Sequence, residues 1–505
     1  MKSKSIMVQG TASSVGKSIL CTGLCRVFYK DGYNVNPFKS QNMSLNSAIT
    51  CDGGEIGRAQ YMQAEASNKV PSVKMNPILL KPNSDRGSQV IINGKVFKNM
   101  DAVDYYKFKP QLKKDVSKIY NKLSDESDII VIEGAGSPAE INLNKEDFVN
   151  MGMAKIAKSP VILVGDIDKG GVFASIVGTM MLLKEDERKM VRGVIINKFR
   201  GSYEILKPGL KMLEDIIKVP VLGVIPYFNL NLEDEDSATD WSKFNFNSNG
   251  DIDVAVIKLP HMSNFTDINP LKMYDDVSIR LIEKVEDLKN PNLIIIPGSK
   301  NTIKDMEYLK NSEMSSAILN CHSNGSFVFG ICGGFQILGS KIKDPNNIES
   351  NITSIEGLNL INSVTEIKTD KTTTLTEARD KIFNCNIKGY EIHMGKTRID
   401  DNDSNFSVIN SRNEETCKDI DGAISKDKRV FGTYIHGIFD NSEFTRKFLN
   451  LIRKNAGMDE IKETPKDYWE FKNEEYDKLA DIIRNNVDMK KLYEIVNEGI
   501  DETDN

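Results

Sequence analysis

The stretch Ser5–Ser18, SIMVQGTASSVGKS, decides the fold of the first half of the chain. Its apolar run Ser5–Gly10 predicts a buried strand, and the residues Lys17–Lys30 that follow predict a helix. The loop between them, GTASSVGKS, brings backbone N–H groups and a helix N-terminus to one place, where phosphates can bind. The lysine would neutralise phosphate charge, and the serine after it would ligate Mg²⁺. The candidate phosphate-binding residues of the loop are Gly10, Thr11, Gly16, Lys17 and Ser18.

Further short β-branched runs alternate with helix-like stretches along the first half. They lie at Asp128–Glu133, Pro160–Asp166 and Arg192–Asn197. This alternation is the pattern of βαβ units in a parallel sheet. A second series of runs, each followed by a distinctive loop, lies at Val254–Leu259, Leu293–Pro297, Phe327–Cys332 and Val430–Ile435. The sequence therefore predicts the α/β class, with two doubly wound α/β domains.

Length and local composition set the predicted domain boundaries. The chain has 505 residues, and a single hydrophobic core stops growing at roughly 250–300 residues. The segment Asn229–Asp251 is rich in Asn, Asp, Ser and Glu and has little to bury. We therefore predict a phosphate-binding domain at 1–235, a linker at 236–251, a second domain at 252–451 and a C-terminal helical extension at 452–505.

Composition narrows the class of protein. No apolar run approaches the ~20 residues that span a bilayer, and the first residues, MKSKSIMVQG, lack the apolar stretch of a secretory signal. We expect a cytoplasmic protein without a membrane partner. The seven cysteines include no CxxC pair, which disfavours a disulfide framework or a structural metal site. The net charge of −6 comes from interleaved acidic and basic residues, so nucleic acid is not an expected partner.

Four acidic residues are candidates for holding Mg²⁺ or substrate. Glu133 ends the run IIVI and opens a Gly-Ala-Gly loop, so its carboxylate would emerge beside the phosphates, a good position for a Mg²⁺ ligand. Asp52, before Gly-Gly, is either a second ligand or a turn residue. Asp166 and Asp168, in DIDKGG, either position metal or substrate or cap a helix.

A nucleophile and a base are predicted in the second half. Cys332 stands between glycines in GICGG, after an apolar run and before a helix-like stretch, which is the arrangement of a nucleophile elbow. The thiol needs a base within hydrogen-bonding reach. Of the four histidines, His436 is the best candidate, because it ends the run FGTYI and precedes a glycine.

The phosphate-binding loop, which begins Gly-Thr, resembles that of dethiobiotin synthetase and its relatives. The resemblance implies that Lys39, in FKSQNMS, lies near the transferred phosphate. The alternative is that Lys39 is an ordinary surface lysine. The resemblance also implies that Asn197 contacts the adenine of ATP, the alternative being a simple turn. The first domain is then an ATP-binding amide synthetase domain.

The second half resembles class I glutamine amidotransferases. This implies that Cys332 attacks glutamine to give a glutamyl thioester and ammonia, with His436 as base. Backbone N–H groups at Gly298, in PGS, and at Gly333 would stabilise the oxyanion. Many members of the class carry a glutamate two residues after the histidine, but here that residue is an isoleucine. What orients the ring is open, and Glu391 is a candidate. Glu391 and His393, in GYEIHMG, either line the glutamine or ammonia pocket or have a structural role.

Taken together, the motifs resemble the cobyric acid synthase family, because GTASSVGKS, FKSQNMSLNS, LPHMSNFTD, GICGGFQILG and GTYIHGIFD occur in the expected order. The resemblance implies amidation of the b, d, e and g carboxylates of (adenosyl)cobyrinic acid a,c-diamide with ATP, Mg²⁺ and glutamine. The partners are then a corrinoid, glutamine and ATP, and a homo-oligomer is left open. The alternatives are a cobyrinic acid a,c-diamide synthase, a related carboxylate amidoligase, or a P-loop binding module with an inactive second domain.

Overall fold

The structure is a computed structural model that describes residues 3–82, 87–232, 245–399, 405–463 and 465–500. The chain folds into two compact units. The first unit comprises Met1–Ser44, Glu55–Thr239 and Lys472–Asn505, and the second comprises Leu45–Gly54 and Asp240–Phe471. Each unit is built around a mostly parallel sheet with helices, so the predicted α/β class with two domains is confirmed.

The first unit contains a six-stranded parallel sheet. Its strands, in spatial order, are Val221–Pro226, Val191–Phe199, Val161–Asp166, Lys4–Gly10, Ile129–Glu133 and Val35–Phe38. Along one central strand, Ile6 and Val8 belong to one hydrophobic cluster and Met7 to another. Both faces of the sheet are therefore covered, which is why its strands read as continuous apolar runs. The predicted strands are present, with ends that differ by one or two residues.

Helices cover both faces of this sheet, and a smaller four-stranded sheet accompanies it. The helices are Lys17–Lys30, Arg58–Ala66, Val73–Met75, Ala102–Asp125, Ile141–Glu146, Met151–Ala157, Val172–Leu182, Glu185–Met190, Tyr203–Ile217, most of Tyr468–Asn486, and Met489–Glu498. The strands of the smaller sheet are Gln41–Met43, Ile78–Pro82, Gly87–Ile92 and Lys95–Asp101, and Glu55–Gly57 is a further short strand. The sequence did not predict this second sheet.

The second unit also contains a six-stranded sheet. Its strands are Val277–Ile282, Ile252–Ile257, Leu293–Ile296, Phe327–Ile331 and Val430–Thr433, which are parallel, and Ala423–Ile424, which is antiparallel. Its helices are Phe265–Met273, Val285–Leu288, Thr302–Asn311, Met314–Ser323, Gly333–Leu338, Ile438–Asp440 and Ser442–Asn455. The carboxyl ends of the parallel strands share one edge, which is where open α/β sheets place their ligands.

The second unit also contains a largely antiparallel sheet, whose strands come after the helix Gly333–Leu338 and before the helix Ser442–Asn455 in the sequence. Its longest strand is the threonine-rich Ser363–Asp380, which pairs with Asn386–Ile399. The sheet is completed by Lys341–Lys343, Ser354–Glu356, Ser407–Arg412, Glu415–Asp421 and Ile435–His436. Two further short pieces, Met262–Ser263 and Gly298–Ser299, pair with each other, and Ser47–Ile49 is a short strand.

The two units differ from the predicted domains near the C-terminus and at one internal segment. Of the extension predicted at 452–505, residues 452–471 belong to the second unit and residues 472–505 to the first. Tyr476, Ile483 and Leu492 pack into the hydrophobic cluster under the helix Lys17–Lys30, because this amphipathic segment would otherwise leave an apolar face exposed. The segment Leu45–Gly54 belongs to the second unit, although it lies within the predicted first domain. Residues 236–244 of the predicted linker lie outside the described residues.

Candidate active sites

The loop Gly10–Ser18 joins a strand to a helix at the carboxyl edge of the first sheet. Gly16 adopts φ 95°, in the left-handed region, immediately before the helix begins at Lys17. A side chain on Gly16 would meet the amide nitrogen of Asn197 at 2.2 Å, so glycine is required by space as well as by conformation. The Asn197 side chain donates to the Val15 carbonyl at 2.8 Å and thereby holds the loop itself. Its predicted contact with adenine stays a prediction.

Lys17 is almost fully buried under the loop. Its ammonium donates to the carbonyl oxygens of Ala12 at 3.0 Å and Gly136 at 3.2 Å. A lysine held by backbone carbonyls at the start of a helix is in place to reach a phosphate, because both the ammonium and the helix N-terminus attract anions. The position agrees with the role that the sequence predicts for Lys17.

Glu133 is the most enclosed charged group of this site, with a side-chain exposure of 0%. One carboxylate oxygen accepts from the Ser18 hydroxyl at 2.8 Å and from the Lys39 ammonium at 2.6 Å. The other accepts from Gln60 at 3.1 Å and from Gln63 at 2.5 Å. Burial alone would raise the pKa of Glu133, but Lys39 and the hydrogen bonds hold it below its ordinary value. The carboxylate is therefore charged and surrounded by donors.

The structure decides whether Lys39 is a surface lysine, and it fits the predicted Mg²⁺ role of Ser18 and Glu133. Lys39 is buried and paired with Glu133, so it is not a surface lysine. Ser18 and Glu133 offer adjacent oxygen atoms, and Mg²⁺ takes few protein oxygens together with phosphate oxygens and water. These two residues fit a Mg²⁺ ion bound with a nucleotide. In the described part of the chain, no group of three or more His, Cys, Asp or Glu side chains could hold a metal by itself.

Asp166 and Asp168 are engaged by basic side chains. Asp166 accepts from Lys198 at 2.8 Å, and the same ammonium donates to the Ser14 carbonyl of the phosphate loop at 2.7 Å. Asp168 pairs with Arg200 at 3.0 Å. Asp166 thus supports the phosphate loop through Lys198. A direct role of either aspartate in binding metal or substrate stays a prediction.

Asp52 lies in a turn. Its carboxylate accepts a hydrogen bond from the Thr50 hydroxyl, whose own oxygen accepts from the Gly54 N–H at 3.1 Å. It belongs to the segment Leu45–Gly54 of the second unit and is not among the residues that contact Glu133. Of the two alternatives that the sequence left open, the turn is the one observed.

Cys332 sits on the elbow that its glycine frame predicts. It lies between the strand Phe327–Ile331 and the helix Gly333–Leu338, with φ 53° and ψ −107°. A non-glycine residue in this region is strained, and such strain is concentrated at functional sites. A side chain on Gly334 would meet the Ile296 carbonyl at 1.9 Å, so only glycine lets the helix approach the neighbouring strand. The Cys332 thiol faces the Ile392 carbonyl at 3.6 Å.

The two glycines predicted to form an oxyanion hole lie at this elbow. A side chain on Gly333 would meet the backbone nitrogen of Ser299 at 2.7 Å, which puts the loop Gly298–Ser299 beside the start of the helix. A side chain on Gly298 would meet the His436 ring at 3.3 Å. Gly298, Gly333, Cys332 and His436 are therefore neighbours, although 138 positions separate the first from the last (436 − 298).

His436 is buried, and its ring is held by Asp267. The ring Nδ1 lies 2.7 Å from one oxygen of Asp267, and the other oxygen accepts from the Gly437 N–H at 2.8 Å. The ring also stacks on Tyr390, with centroids 5.1 Å apart. Burial lowers the pKa of His436, but the Asp267 carboxylate and the hydrogen bond with Cys332 outweigh it and raise the pKa to about 10. Asp267 is thus the third member of a Cys–His–Asp arrangement.

Glu391, the predicted candidate for orienting the ring, does not hold His436. It accepts from Arg412 at 2.6 Å and from Thr376 at 3.0 Å. Burial would raise the pKa of Glu391, but the nearby His393 ring and the hydrogen-bonded Arg412 guanidinium lower it to about 2. Its strand pairs with that of His436, yet Glu391 lies opposite Ile435, and alternate residues of a strand point to opposite faces. The prediction that Glu391 is the orienter is wrong for this reason.

Glu391 and His393 line a cavity of about 1020 Å³ in the second unit. His393 stacks on Tyr434, with ring centroids 3.9 Å apart, and its Nδ1 lies 2.8 Å from the Gly395 carbonyl. Arg398 and Arg412 also face this cavity, so it carries charges of both signs. A zwitterion such as an amino acid suits such a lining. The identity of what binds there stays a prediction.

Sequence reasoning missed Asp267, Gln60, Gln63 and Lys198. Asp267 ends the motif LPHMSNFTD, and that motif, singled out by resemblance, was the available signal. Gln60 and Gln63 lie three residues apart on the helix Arg58–Ala66, so both reach the same carboxylate. Nothing in their spacing distinguishes them from ordinary surface glutamines.

No helix in the described part of the chain has the length and apolar character needed to span a bilayer.

Comparison with known proteins agrees with this geometry. Residues 6–237 match the CobQ/CobB/MinD/ParA nucleotide binding domain, and residues 253–444 match the CobB/CobQ-like glutamine amidotransferase domain. The chain is 98% identical to the cobyric acid synthase of Clostridium novyi (strain NT) over 505 residues, which is the whole of both chains. It is 55% identical to that of Thermoanaerobacter sp. (strain X514), over 97% of this chain and 98% of the relative. The cobyric acid synthase of Streptococcus sanguinis (strain SK36) is 50% identical, over 98% of this chain and 99% of the relative.

Proposed function

The chain belongs to the cobyric acid synthase family and is a glutamine-dependent amidotransferase, and we propose that it amidates the b, d, e and g side-chain carboxylates of (adenosyl)cobyrinic acid a,c-diamide. The observation that carries the proposal is that one chain holds both a buried cluster of Lys17, Ser18 and Glu133 at the Gly10–Ser18 loop and a cluster of Cys332, His436 and Asp267. A nucleotide site without a nitrogen source, or the reverse, would serve a simpler reaction.

The glutaminase half-reaction follows from the chemistry of the second site. The Cys332 thiolate attacks the glutamine carboxamide, and His436 transfers the thiol proton to the departing ammonia. Asp267 fixes the ring through Nδ1, which leaves Nε2 for that proton. The backbone N–H groups at Gly298 and Gly333 are suited to stabilise the oxyanion of the tetrahedral intermediate. Water then releases glutamate from the thioester.

The synthetase half-reaction requires activation of a carboxylate, which is a poor electrophile at neutral pH. ATP would transfer its γ-phosphate to the carboxylate, and ammonia would displace the phosphate of the resulting acyl phosphate. Lys17 and Lys39 supply positive charge at the phosphates, and backbone N–H groups of the loop cradle them. Ser18 and Glu133 would hold a Mg²⁺ ion, which offsets phosphate charge when it is bound.

The experiment that tests this function combines one acceptor with two nitrogen sources. Purified protein is incubated with cobyrinic acid a,c-diamide, Mg²⁺-ATP and glutamine, and products are followed by mass spectrometry. We expect the stepwise gain of four amides. The Cys332→Ala variant should lose the reaction with glutamine and retain it with ammonium. Glutamine hydrolysis without any amidation of the corrinoid would keep the amidotransferase activity and reject this acceptor, and cobyrinic acid as substrate then tests the a,c-diamide synthase alternative.

A further inference from the structure

The segment Leu45–Gly54 is part of the second unit, although the residues before and after it in the sequence belong to the first. Within the segment, Ile49 packs in a small hydrophobic cluster with Tyr390 and Ile392. Tyr390 stacks on the catalytic ring of His436, so the segment reaches the immediate surroundings of the glutaminase base. Neither the nucleophile nor the base explains why this segment lies there.

The peptide groups of Ser47 contact two neighbours of the His436 ring, Asn264 and Tyr390. The Ser47 N–H donates to the side-chain oxygen of Asn264 at 3.2 Å, and the Ser47 carbonyl accepts from the Tyr390 hydroxyl at 3.5 Å. The nitrogen of the same Asn264 amide lies 3.4 Å from Nε2 of His436. Ser47, Asn264 and His436 are all buried. A continuous chain of contacts therefore runs from the segment to the ring.

The chemistry of the amide fixes its orientation. A backbone N–H can only donate, so it requires the oxygen of Asn264 to face Ser47. The amide NH₂ group, which can only donate, is then directed at Nε2 of His436. Nε2 is the atom that must take the Cys332 proton, since Asp267 occupies Nδ1. In the neutral ring, the amide donor competes with the Cys332 proton for the lone pair of Nε2. In the imidazolium, the same donor repels the Nε2–H group.

We propose that Asn264 is a positioning residue that restrains His436 as a base, and that Ser47 of the segment Leu45–Gly54 holds Asn264 in this restraining orientation. The titratable groups around the ring, in the described residues, are Asp267, Cys332 and Tyr390. Asp267 favours the imidazolium and Asn264 opposes it. Movement of the segment away from Asn264 releases the base.

The segment lies shortly after Lys39, a residue proposed to bind phosphate, in the sequence. Ser47 follows Lys39 by eight positions (47 − 39), and Ser44 is the last residue of the first unit before the segment. Lys39 is paired with Glu133 and would be drawn to a bound phosphate. Occupancy of the phosphate site is thereby transmitted along the backbone to Asn264. Glutamine hydrolysis is then slow until the nucleotide is bound, which spares glutamine.

The first test removes the amide. Asn264 has φ 51°, in the left-handed region, so Asn264→Gly deletes the side chain without backbone strain. The net value of one hydrogen bond predicts about a fivefold rise in both acceptor-independent glutaminase activity and the rate of Cys332 alkylation by iodoacetamide at neutral pH. At every pH below the pKa of His436 in the variant, Cys332 should be alkylated faster in Asn264→Gly than in the unaltered protein. Unchanged or lower rates would overturn the restraint.

The second test removes the donor that holds the amide. Ser47→Pro lacks the backbone N–H, whereas Ser47→Ala keeps it, so the difference between these two variants isolates that donor. We expect Ser47→Pro to exceed Ser47→Ala in alkylation and glutaminase rates by a similar, about fivefold, factor. Equal rates in the two variants would show that the segment does not hold Asn264. Melting temperature is measured for both, and the Asn264→Gly result stands independently if proline unfolds the segment.

The third test addresses transmission from the phosphate site. A non-hydrolysable ATP analogue with Mg²⁺ should accelerate alkylation of Cys332 in the unaltered protein and have no further effect in Asn264→Gly. An analogue that leaves the unaltered protein unchanged would reject transmission. The inference rests on the proposed glutaminase roles of Cys332 and His436 but not on the corrinoid, because no test uses an acceptor. Failure of Cys332→Ala to abolish glutamine hydrolysis would instead reject the proposed function.

Discussion

The two sites hold their central ionisable groups in opposite ways. Glu133 receives four hydrogen bonds, two on each oxygen, and is wholly enclosed. His436 is equally buried, but one nitrogen alone is fixed by a carboxylate, while the other faces the thiol and a weakly placed amide. A group that keeps its charge throughout a reaction can have hydrogen-bond partners at all of its polar atoms. A group that must gain and lose a proton has to be held on one side only.

The same contrast appears in how the sites are assembled. The phosphate loop is a contiguous strand–loop–helix unit, so its position depends mainly on local structure. The glutaminase site combines Asp267, Cys332 and His436 from three separate segments, and each lies at or beside the end of an element of the second unit. The activity of the phosphate site should therefore depend mainly on the charges of its side chains. The activity of the glutaminase site should depend mainly on the orientation of its side chains. The predictions below test that difference.

The largest effect is expected from Cys332→Ala. Loss of a nucleophile removes covalent catalysis altogether, so glutamine-dependent amidation should fall by about 10⁴-fold or more. Ammonium-dependent amidation should persist, because the phosphate site is intact. Cys417→Ser, at a partly buried cysteine outside the site, is the matched control. Loss of both reactions in Cys332→Ala would show that the two sites are not separable as described.

A smaller loss is expected from Lys39→Met, which removes the charge beside Glu133. Amidation with glutamine and with ammonium should both fall by about 10²–10³-fold, since a positive charge at the transferred phosphate is lost. Acceptor-independent glutamine hydrolysis serves as the internal control for folding of the second unit, and it should remain. Amidation at an unaltered rate would indicate that Lys39 serves only to neutralise Glu133.

Asp267→Asn tests orientation in the second site. Glutamine hydrolysis should fall by about 10²-fold, because the ring loses its fixed tautomer. The carboxylate contributes to raising the pKa of His436 to about 10, so its removal lowers that pKa. The imidazolium then loses its proton at a lower pH. In the profile of Cys332 alkylation rate against pH, the basic limb, which reports this deprotonation, therefore moves to lower pH. Asp253→Asn, which breaks an aspartate–arginine pair with Arg280, should leave that limb in place. An unmoved limb in Asp267→Asn would reject its role.

Several features of both sites could be predicted from sequence because they are local. The strand–loop–helix at Gly10–Ser18 and the glycine frame of Cys332 are each specified within about ten residues, where backbone geometry leaves few alternatives. Asp267 could not be assigned to His436 from the chain alone, since 169 positions separate them (436 − 267) and only tertiary packing brings them together. Glu391 was the nearer candidate in sequence, but strand alternation turns it away from the ring.

The predicted domain boundaries differ from the two compact units for a related reason. Tyr476→Phe tests the assignment of residues 472–505 to the first unit, and it has the smallest expected effect. The Tyr476 hydroxyl donates to Glu65 at 2.8 Å, and both are buried in the first unit, although 411 positions separate them. Loss of one hydrogen bond to a charged group costs about 1.5–3 kcal/mol, which lowers the melting temperature of a unit of this size by several degrees. The temperature at which nucleotide binding is lost should therefore fall more than that at which glutamine hydrolysis is lost. Tyr203→Phe, at an exposed tyrosine, is the control. Equal loss of both activities would mean that residues 472–505 stabilise the whole chain and not the first unit in particular.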